Sequence, residues 1–150
     1  MTTIAYKAGV LASDSKISGA NGGHWANVAK IKKIDNYLLG YCGDVDLGYH
    51  FMSKFDPKFL VGKAAIKWDF GVKSGDFEAI VVDPFRRIFR ISERLLITPV
   101  LSHGFIAIGS GEPVAMGAMF AGASAIAAVK ACKVLDAGTG GKIRHVKLGK

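Results

Sequence analysis

The sequence predicts an α+β fold, and three observations carry that prediction. Short runs alternating apolar and polar residues come in adjacent pairs joined by turn residues, which is the signature of antiparallel hairpins. Apolar residues at helical spacing are gathered into a few segments that separate these groups of strands. The order is therefore strands, helix, strands, helices, strand, and not the strict strand–helix alternation of a parallel doubly wound sheet.

Taken in order, "TIAYKAGVLASDS" predicts two short strands around a turn at Lys7–Gly9. "SGANGGH" is rich in Gly and Asn and predicts a loop. "NVAKIKKID" and "NYLLGYCGD" predict a second hairpin turning at Asp35-Asn36. "DVDLGYHFMSKF" has helical spacing, with Asp44 as its N-cap, and Pro57 punctuates it. "KFLVGKAAIKWDF" predicts a second helix. "DFEAIVVDPFRRIFRIS" predicts strand, turn at Asp83-Pro84, strand, and "RLLITPVLSHGFIAIGSG" continues as strands. From Pro113 to Leu135 the small-residue run predicts two helices broken near Gly122. "DAGTGG" predicts a turn and "KIRHVKL" a closing strand. With no linker, repeat or low-complexity segment, residues 1–150 are expected to form one domain.

Half of the residues are hydrophobic, yet no run approaches the roughly 18 uninterrupted apolar residues that span a bilayer. Neither a membrane span nor a secretory leader is expected, since Lys7 comes too late and Asp14 too early for an apolar leader core. The two cysteines, Cys42 and Cys132, have no metal-site or disulfide spacing, so a reducing, cytoplasmic setting is expected. A formal charge of +8 permits an acidic partner, but the cations are scattered rather than clustered. A basic nucleic-acid-binding domain is the weakest of the functional readings.

Nucleotide and metal cofactors are not expected. "DAGTGGKI" lacks both ends of a phosphate-binding loop, with Asp136 where the first Gly belongs and Ile143 where Ser or Thr belongs. "GSGEPV" lacks the third Gly of a dinucleotide fingerprint. Nor does any Gly-x-Ser-x-Gly elbow occur, and the four histidines stand in no nucleophile signature.

One nucleophile needs no separate histidine. If Met1 is removed, Thr2 carries a hydroxyl and a free α-amine, whose ordinary pKa of about 7.7–8.0 lets it accept the hydroxyl proton near neutral pH. Such a site also needs a cation to lower both pKa values, a carboxylate to hold that cation, and a backbone N–H for the oxyanion. Lys30, Lys32 and Lys33 are all candidates for the cation, and alternation puts Lys30 and Lys32 on one strand face.

These requirements are met in an order that resembles the proteasome β-subunit and HslV family of N-terminal nucleophile hydrolases. The resemblance is carried by "TTIAYKAGVLASDSKIS", "NVAKIKKI", "LLGYCGD", "IAIGSGEPVAMGAM" and "DAGTGGKI", which span nearly the whole chain. It implies a four-layer αββα sandwich and a threonine endopeptidase subunit of a self-compartmentalised ring. By the same resemblance Thr2 is the nucleophile, Asp14 and Lys30 the charged pair, and Gly40 the oxyanion donor. Ser110, Asp136 and Thr139 form the network around the amine, with Thr139 standing where the family has Ser. Leu38 and Cys42, near Gly40, are expected to line an apolar specificity pocket, and Cys42 itself reads as a small semi-buried residue.

The implied partners are protein or peptide substrates and further copies of the chain in a homo-oligomeric ring or double ring. An ATP-dependent unfoldase is left open. The chain is short for the family: the helices between Asp44 and Asp76 are compressed, and the stretch between the last two helices is cut to almost nothing. That points to a small bacterial or phage-type member whose only processing is loss of Met1. The alternative is a ring subunit that keeps the fold without catalysis.

Overall fold

The computed structural model describes residues 2–19, 24–62, 76–101 and 103–150, without the side chains of His24 and Trp25. Among the described residues, eleven strands and three α-helices follow the predicted order. The first hairpin joins β1 (Thr3–Lys7) to β2 (Val10–Ser13), in register Ile4↔Ser13 and Tyr6↔Leu11. Ala8 and Gly9 turn it with φ of 52° and 82°, a twist that suits a two-residue hairpin. A short ribbon follows, β3 (Lys16–Ser18) with β4 (His24–Asn27). β5 (Ile31–Ile34) and β6 (Tyr37–Gly43) form the second hairpin. Asp44 then caps α1 (Val45–Lys54) by accepting from Leu47 N–H at 3.0 Å.

The predicted helix over 58–70 is corrected in its described part. Residues Pro57–Val61 form a 3₁₀ turn, closed by Gly62 in the left-handed region at φ 70°. The rest of that prediction, with Trp68, lies outside the described residues, as do Met1 and most of the predicted loop over 18–24, whose two ends, Ser18 and His24, belong to strands.

β7 (Phe77–Val82), β8 (Ile88–Ile91), β9 (Ile97–Val100) and β10 (Phe105–Gly109) are followed by α2 (Glu112–Phe120), α3 (Ala125–Leu135) and β11 (Arg144–Lys147). The strands make a four-stranded sheet, β10-β1-β2-β11, and a five-stranded sheet, β5-β6-β7-β8-β9, both antiparallel. Among the described residues no helix is long and apolar enough to cross a membrane.

Period-two alternation divides the core. Ile4, Tyr6 and Leu11 of the smaller sheet pack with Leu38, Ile80 and Val82 of the larger one. Their neighbours face the other way: Ala5, Ala12 and Ala107 pack with Ala115, Met119, Ala128 and Val129 of α2 and α3. Leu39, Tyr41 and Val81 pack with Leu47, Phe51 and Met52 of α1. The alanines on the α2/α3 side remove bulk, so the small-residue helices approach the strands closely. Lys7 anchors this contact, its Nζ donating to the carbonyls of Met119 at 2.7 Å and Ala123 at 2.9 Å. Those carbonyls lie at and just past the end of α2, where a cation is favourable.

Candidate active site

The first hairpin brings Thr2 and Asp14 to the same end. Thr3 pairs with Gly109 on one side, and on the other the chain leaves β2 at Ser13 and folds back. Asp14 N–H donates to Thr3 C=O at 3.3 Å, and Asp14 Oδ1 accepts from Thr3 N–H at 3.1 Å. Asp14 Oδ2 accepts from Lys16 N–H at 3.2 Å and Gly140 N–H at 3.1 Å. This carboxylate is wholly buried and ties together three segments distant in sequence.

Lys30 sits just ahead of β5, so strand alternation does not govern its side chain. It is buried, while Lys32 and Lys33 are exposed. Its Nζ donates to Thr2 Oγ1 at 2.7 Å, Asp14 Oδ1 at 3.0 Å and Lys16 C=O at 2.6 Å. All three ammonium protons are thereby used. Burial lowers the Lys30 pKa from its ordinary value, against the opposing pull of the Asp14 carboxylate.

A second chain of contacts starts at the Thr2 nitrogen, whose N–H donates to Ser110 Oγ at 3.3 Å. Ser110 donates to Asp136 Oδ2 at 2.7 Å, and Thr139 Oγ1 donates to the same oxygen at 2.6 Å. Thr139 Oγ1 also meets Thr3 Oγ1 at 2.5 Å, so the Thr3 hydroxyl joins this network while the Thr2 hydroxyl belongs to that of Lys30. Burial pushes the Asp136 carboxyl up, but the hydrogen bonds from Thr139 and Ser110 outweigh it and leave the pKa lowered. The structure thus brings together six of the seven residues singled out in the sequence.

The seventh, Gly40, is elsewhere. It lies in mid-strand between Ile31 and Ile80, and a Cβ there would come within 2.8 Å of Ile4 Cγ2 and 3.2 Å of Ile31 Cγ2. It is a core glycine that lets the two sheets approach. Of the two glycines in that segment of β6, the one beside Thr2 is Gly43, which lines two cavities that open on Thr2. Gly40 and Gly43 both belong to the Gly-x-x-Gly segment; an odd spacing of three puts them in unlike positions on a strand of period two. Gly43 has φ 97°, and a Cβ on it would collide with the Asp76 carbonyl. Gly43→Ala is expected to cost about 2–4 kcal/mol, from left-handed strain plus overpacking. Urea denaturation checks this; a change within about 0.5 kcal/mol would show that the turn relaxes freely.

The expected apolar pocket is corrected as well. Leu38 is wholly buried in the core shared by the two sheets. Cys42 does face a cavity, of about 340 Å³, but Thr2, Ser110, Asp76, Glu78 and Glu112 line it too. The Cys42 thiol is pushed up to about 12 by burial, with Glu78 and Asp76 adding to it, so it is protonated and poorly nucleophilic at neutral pH. Glu78 forms an ion pair with Arg90. The second cavity, of about 60 Å³, lies toward β3 and α1 and is lined by Lys30, Ile17, Ser18, Tyr41 and Val45 as well as Thr2. Among the described residues no group of side chains has the arrangement of a metal site.

No protein-family model matches the sequence, and no curated protein does. Solved structures do. BPH of Thiobacillus denitrificans in complex with Epoxomicin has a TM-score of 0.71 at 21% identity, covering 99% of each chain. A further structure of that BPH has a TM-score of 0.67 at 23% identity, covering 99% of this chain and 98% of the other. HslV from Trypanosoma brucei has a TM-score of 0.73 at 17% identity, covering 97% and 98%. The likeness runs end to end and agrees with the resemblance carried by the sequence motifs: this chain has the fold of HslV and BPH.

Proposed function

We propose that this chain is a threonine-type peptidase subunit of the proteasome β-subunit and HslV family, one domain over residues 1–150 in the four-layer αββα arrangement. The three apolar clusters, one between the sheets and one on the outer face of each, support that layering. The observation that carries the catalytic reading is the 2.7 Å contact between the buried Lys30 ammonium and the Thr2 hydroxyl. A buried cation held on a hydroxyl by a buried carboxylate favours the alkoxide, which a structural threonine does not need.

In this reading, scission of the Met1–Thr2 bond frees the Thr2 amine. Thr2 Oγ1 attacks the substrate carbonyl carbon, and its proton passes to that amine. The oxyanion is held by Gly43 N–H, at the end of β6 beside Thr2. The carbon–nitrogen bond breaks, the proton moves from the amine to the leaving nitrogen, and an ester on Thr2 remains. Water then adds to the ester through the same amine, releasing the acid and restoring the hydroxyl. Ser110 orients the amine, Asp136 and Thr139 hold Ser110, and Asp14 holds Lys30.

Assembly into a homo-oligomeric ring or double ring, with Thr2 facing its interior, would confine this chemistry in the cytoplasm. Access could then be supplied by an ATP-dependent unfoldase. The test is intact mass before and after a covalent peptide inhibitor directed at N-terminal threonine. The expected result is a chain one methionine lighter that gains a single adduct. A chain that keeps Met1 and gains none would instead be a non-catalytic ring subunit.

A further inference from the structure

Thr2 and Thr3 stand together at the head of β1, so their side chains take opposite faces. The Thr2 hydroxyl meets Lys30, while that of Thr3 turns toward Thr139 and toward Cys132 of α3. Thr3 is wholly buried. The turn that carries Ser110 leaves room for its hydroxyl: a Cβ on Gly111 would collide with Thr3 Oγ1 and come within 3.0 Å of Cys132 Sγ.

Counting protons gives these contacts a direction, since each hydroxyl has one to give and a carboxylate only accepts. Asp136 Oδ2 accepts from Ser110 at 2.7 Å and from Thr139 at 2.6 Å. Ser110 Oγ also lies 3.4 Å from Thr2 C=O, the longer of the two contacts its proton could make. With that proton on Asp136, Ser110 can only accept from the Thr2 nitrogen, at 3.3 Å. With the Thr139 proton on the same oxygen, the 2.5 Å contact to Thr3 has one sense left, Thr3 donating to Thr139. Cys132 spends its own proton on Gly111 C=O at 3.3 Å. Donors therefore run from Thr3 through Thr139 to Asp136, and from the Thr2 nitrogen through Ser110 to the same oxygen. The Thr3 backbone serves the other arm of the site, its N–H donating to the Asp14 oxygen that also holds Lys30.

We infer that Thr3 is a positioning residue for the base: its hydroxyl fixes Thr139 and, through it, the Asp136 carboxylate that keeps Ser110 turned to accept from the Thr2 amine. The inference rests on the peptidase reading. Turned this way, Ser110 puts no proton on the lone pair of the amine, which stays available to the proton of the Thr2 hydroxyl. A hydroxyl that accepts a hydrogen bond donates more strongly, by roughly 10–30%, so Thr3 tightens the hold of Thr139 on Asp136.

The experiment compares Thr3→Val, Thr3→Ala and Thr3→Ser with the wild type on a fluorogenic peptide, with rates taken per chain that has lost Met1. Valine has the shape of threonine, but a methyl carbon needs about 3.3 Å from an oxygen, so Thr139 must retreat from its present 2.5 Å contact by roughly 0.8 Å. Thr3→Val is expected to lower kcat by about 10- to 100-fold and to leave KM within about threefold of wild type, because Thr3 does not touch the substrate. A displaced Asp136 stabilises the ammonium form of the Thr2 amine less, so the acid limb of kcat/KM is expected to move to lower pH. Thr3→Ala opens space instead of pushing on Thr139; it is expected to change kcat and the acid limb in the same directions, and it carries the test if Thr3→Val does not fold. Thr3→Ser restores the hydroxyl and is expected to recover both. Full kcat in Thr3→Val or Thr3→Ala, a loss that leaves the acid limb in place, or a loss that Thr3→Ser shares overturns the inference and leaves the peptidase reading standing. If the wild type cleaves no peptide and forms no inhibitor adduct at Thr2, the peptidase reading fails and this one with it.

Discussion

Thr2→Ala is expected to abolish peptide hydrolysis while the chain still folds. If the hydroxyl and amine of one residue act as nucleophile and base together, removing the hydroxyl leaves no covalent route. The loss expected for a nucleophile is on the order of 10⁴–10⁶ in kcat. The structural cost is much smaller. Thr2 Oγ1 is one of three acceptors for Lys30 Nζ, and Asp14 Oδ1 and Lys16 C=O remain. Losing one hydrogen bond to a charged group costs about 1.5–3 kcal/mol. For a chain of this length that lowers Tm by roughly 3–12 °C. Thr2→Ser keeps both functional groups and should retain activity within about tenfold of wild type. Fluorogenic peptide assays beside thermal denaturation separate the two effects. Activity of Thr2→Ala above background would remove Thr2 from the nucleophile's role.

Much of this geometry was legible in the sequence because hairpins are local. A two-residue turn at Ala8-Gly9 fixes the register of β1 on β2, and that register returns Asp14 to Thr3. The glycine was misplaced for a physical reason. In β6 both faces are buried, against the other sheet and against α1, so "LLGYCGD" has no polar face to anchor its alternation. With the phase unmarked, nothing in the residue order separates Gly40 from Gly43, although one is enclosed by Ile4 and Ile31 and the other ends the strand. Leu38 was misjudged for the same cause. Lys30 was separable from Lys32 and Lys33 only through the family resemblance, since the strand whose alternation was invoked begins one residue later.

The Asp14–Lys30 pair yields the prediction with the largest effect on stability, and its asymmetry is the useful part. Asp14→Ala removes the counter-charge of a buried ammonium and the acceptor of three backbone N–H groups, those of Thr3, Lys16 and Gly140. Breaking a buried pair in this way costs about 3–5 kcal/mol. Lys30→Met leaves the carboxylate with those same three donors and fills similar space, so its cost should be clearly less. Both variants should lose activity by at least about 100-fold, because each removes the cation's influence on Thr2. The sign of the pH dependence distinguishes this account from simple loss of packing. Burial lowers the Lys30 pKa from 10.5, so between that lowered value and 10.5 the unfolded chain binds the extra proton. Stability contributed by this group therefore rises with pH across that window, and below it the cost of the buried charge is constant. Without Asp14, whose carboxylate opposes the lowering, the folded pKa falls further and the window widens toward neutral pH. The destabilisation of Asp14→Ala relative to wild type should consequently shrink as pH rises from 7 toward about 10. Urea unfolding of both proteins along that pH series gives the difference curve. A flat or growing difference would mean that the cost of losing Asp14 lies in its backbone hydrogen bonds and not in the stranded charge of Lys30.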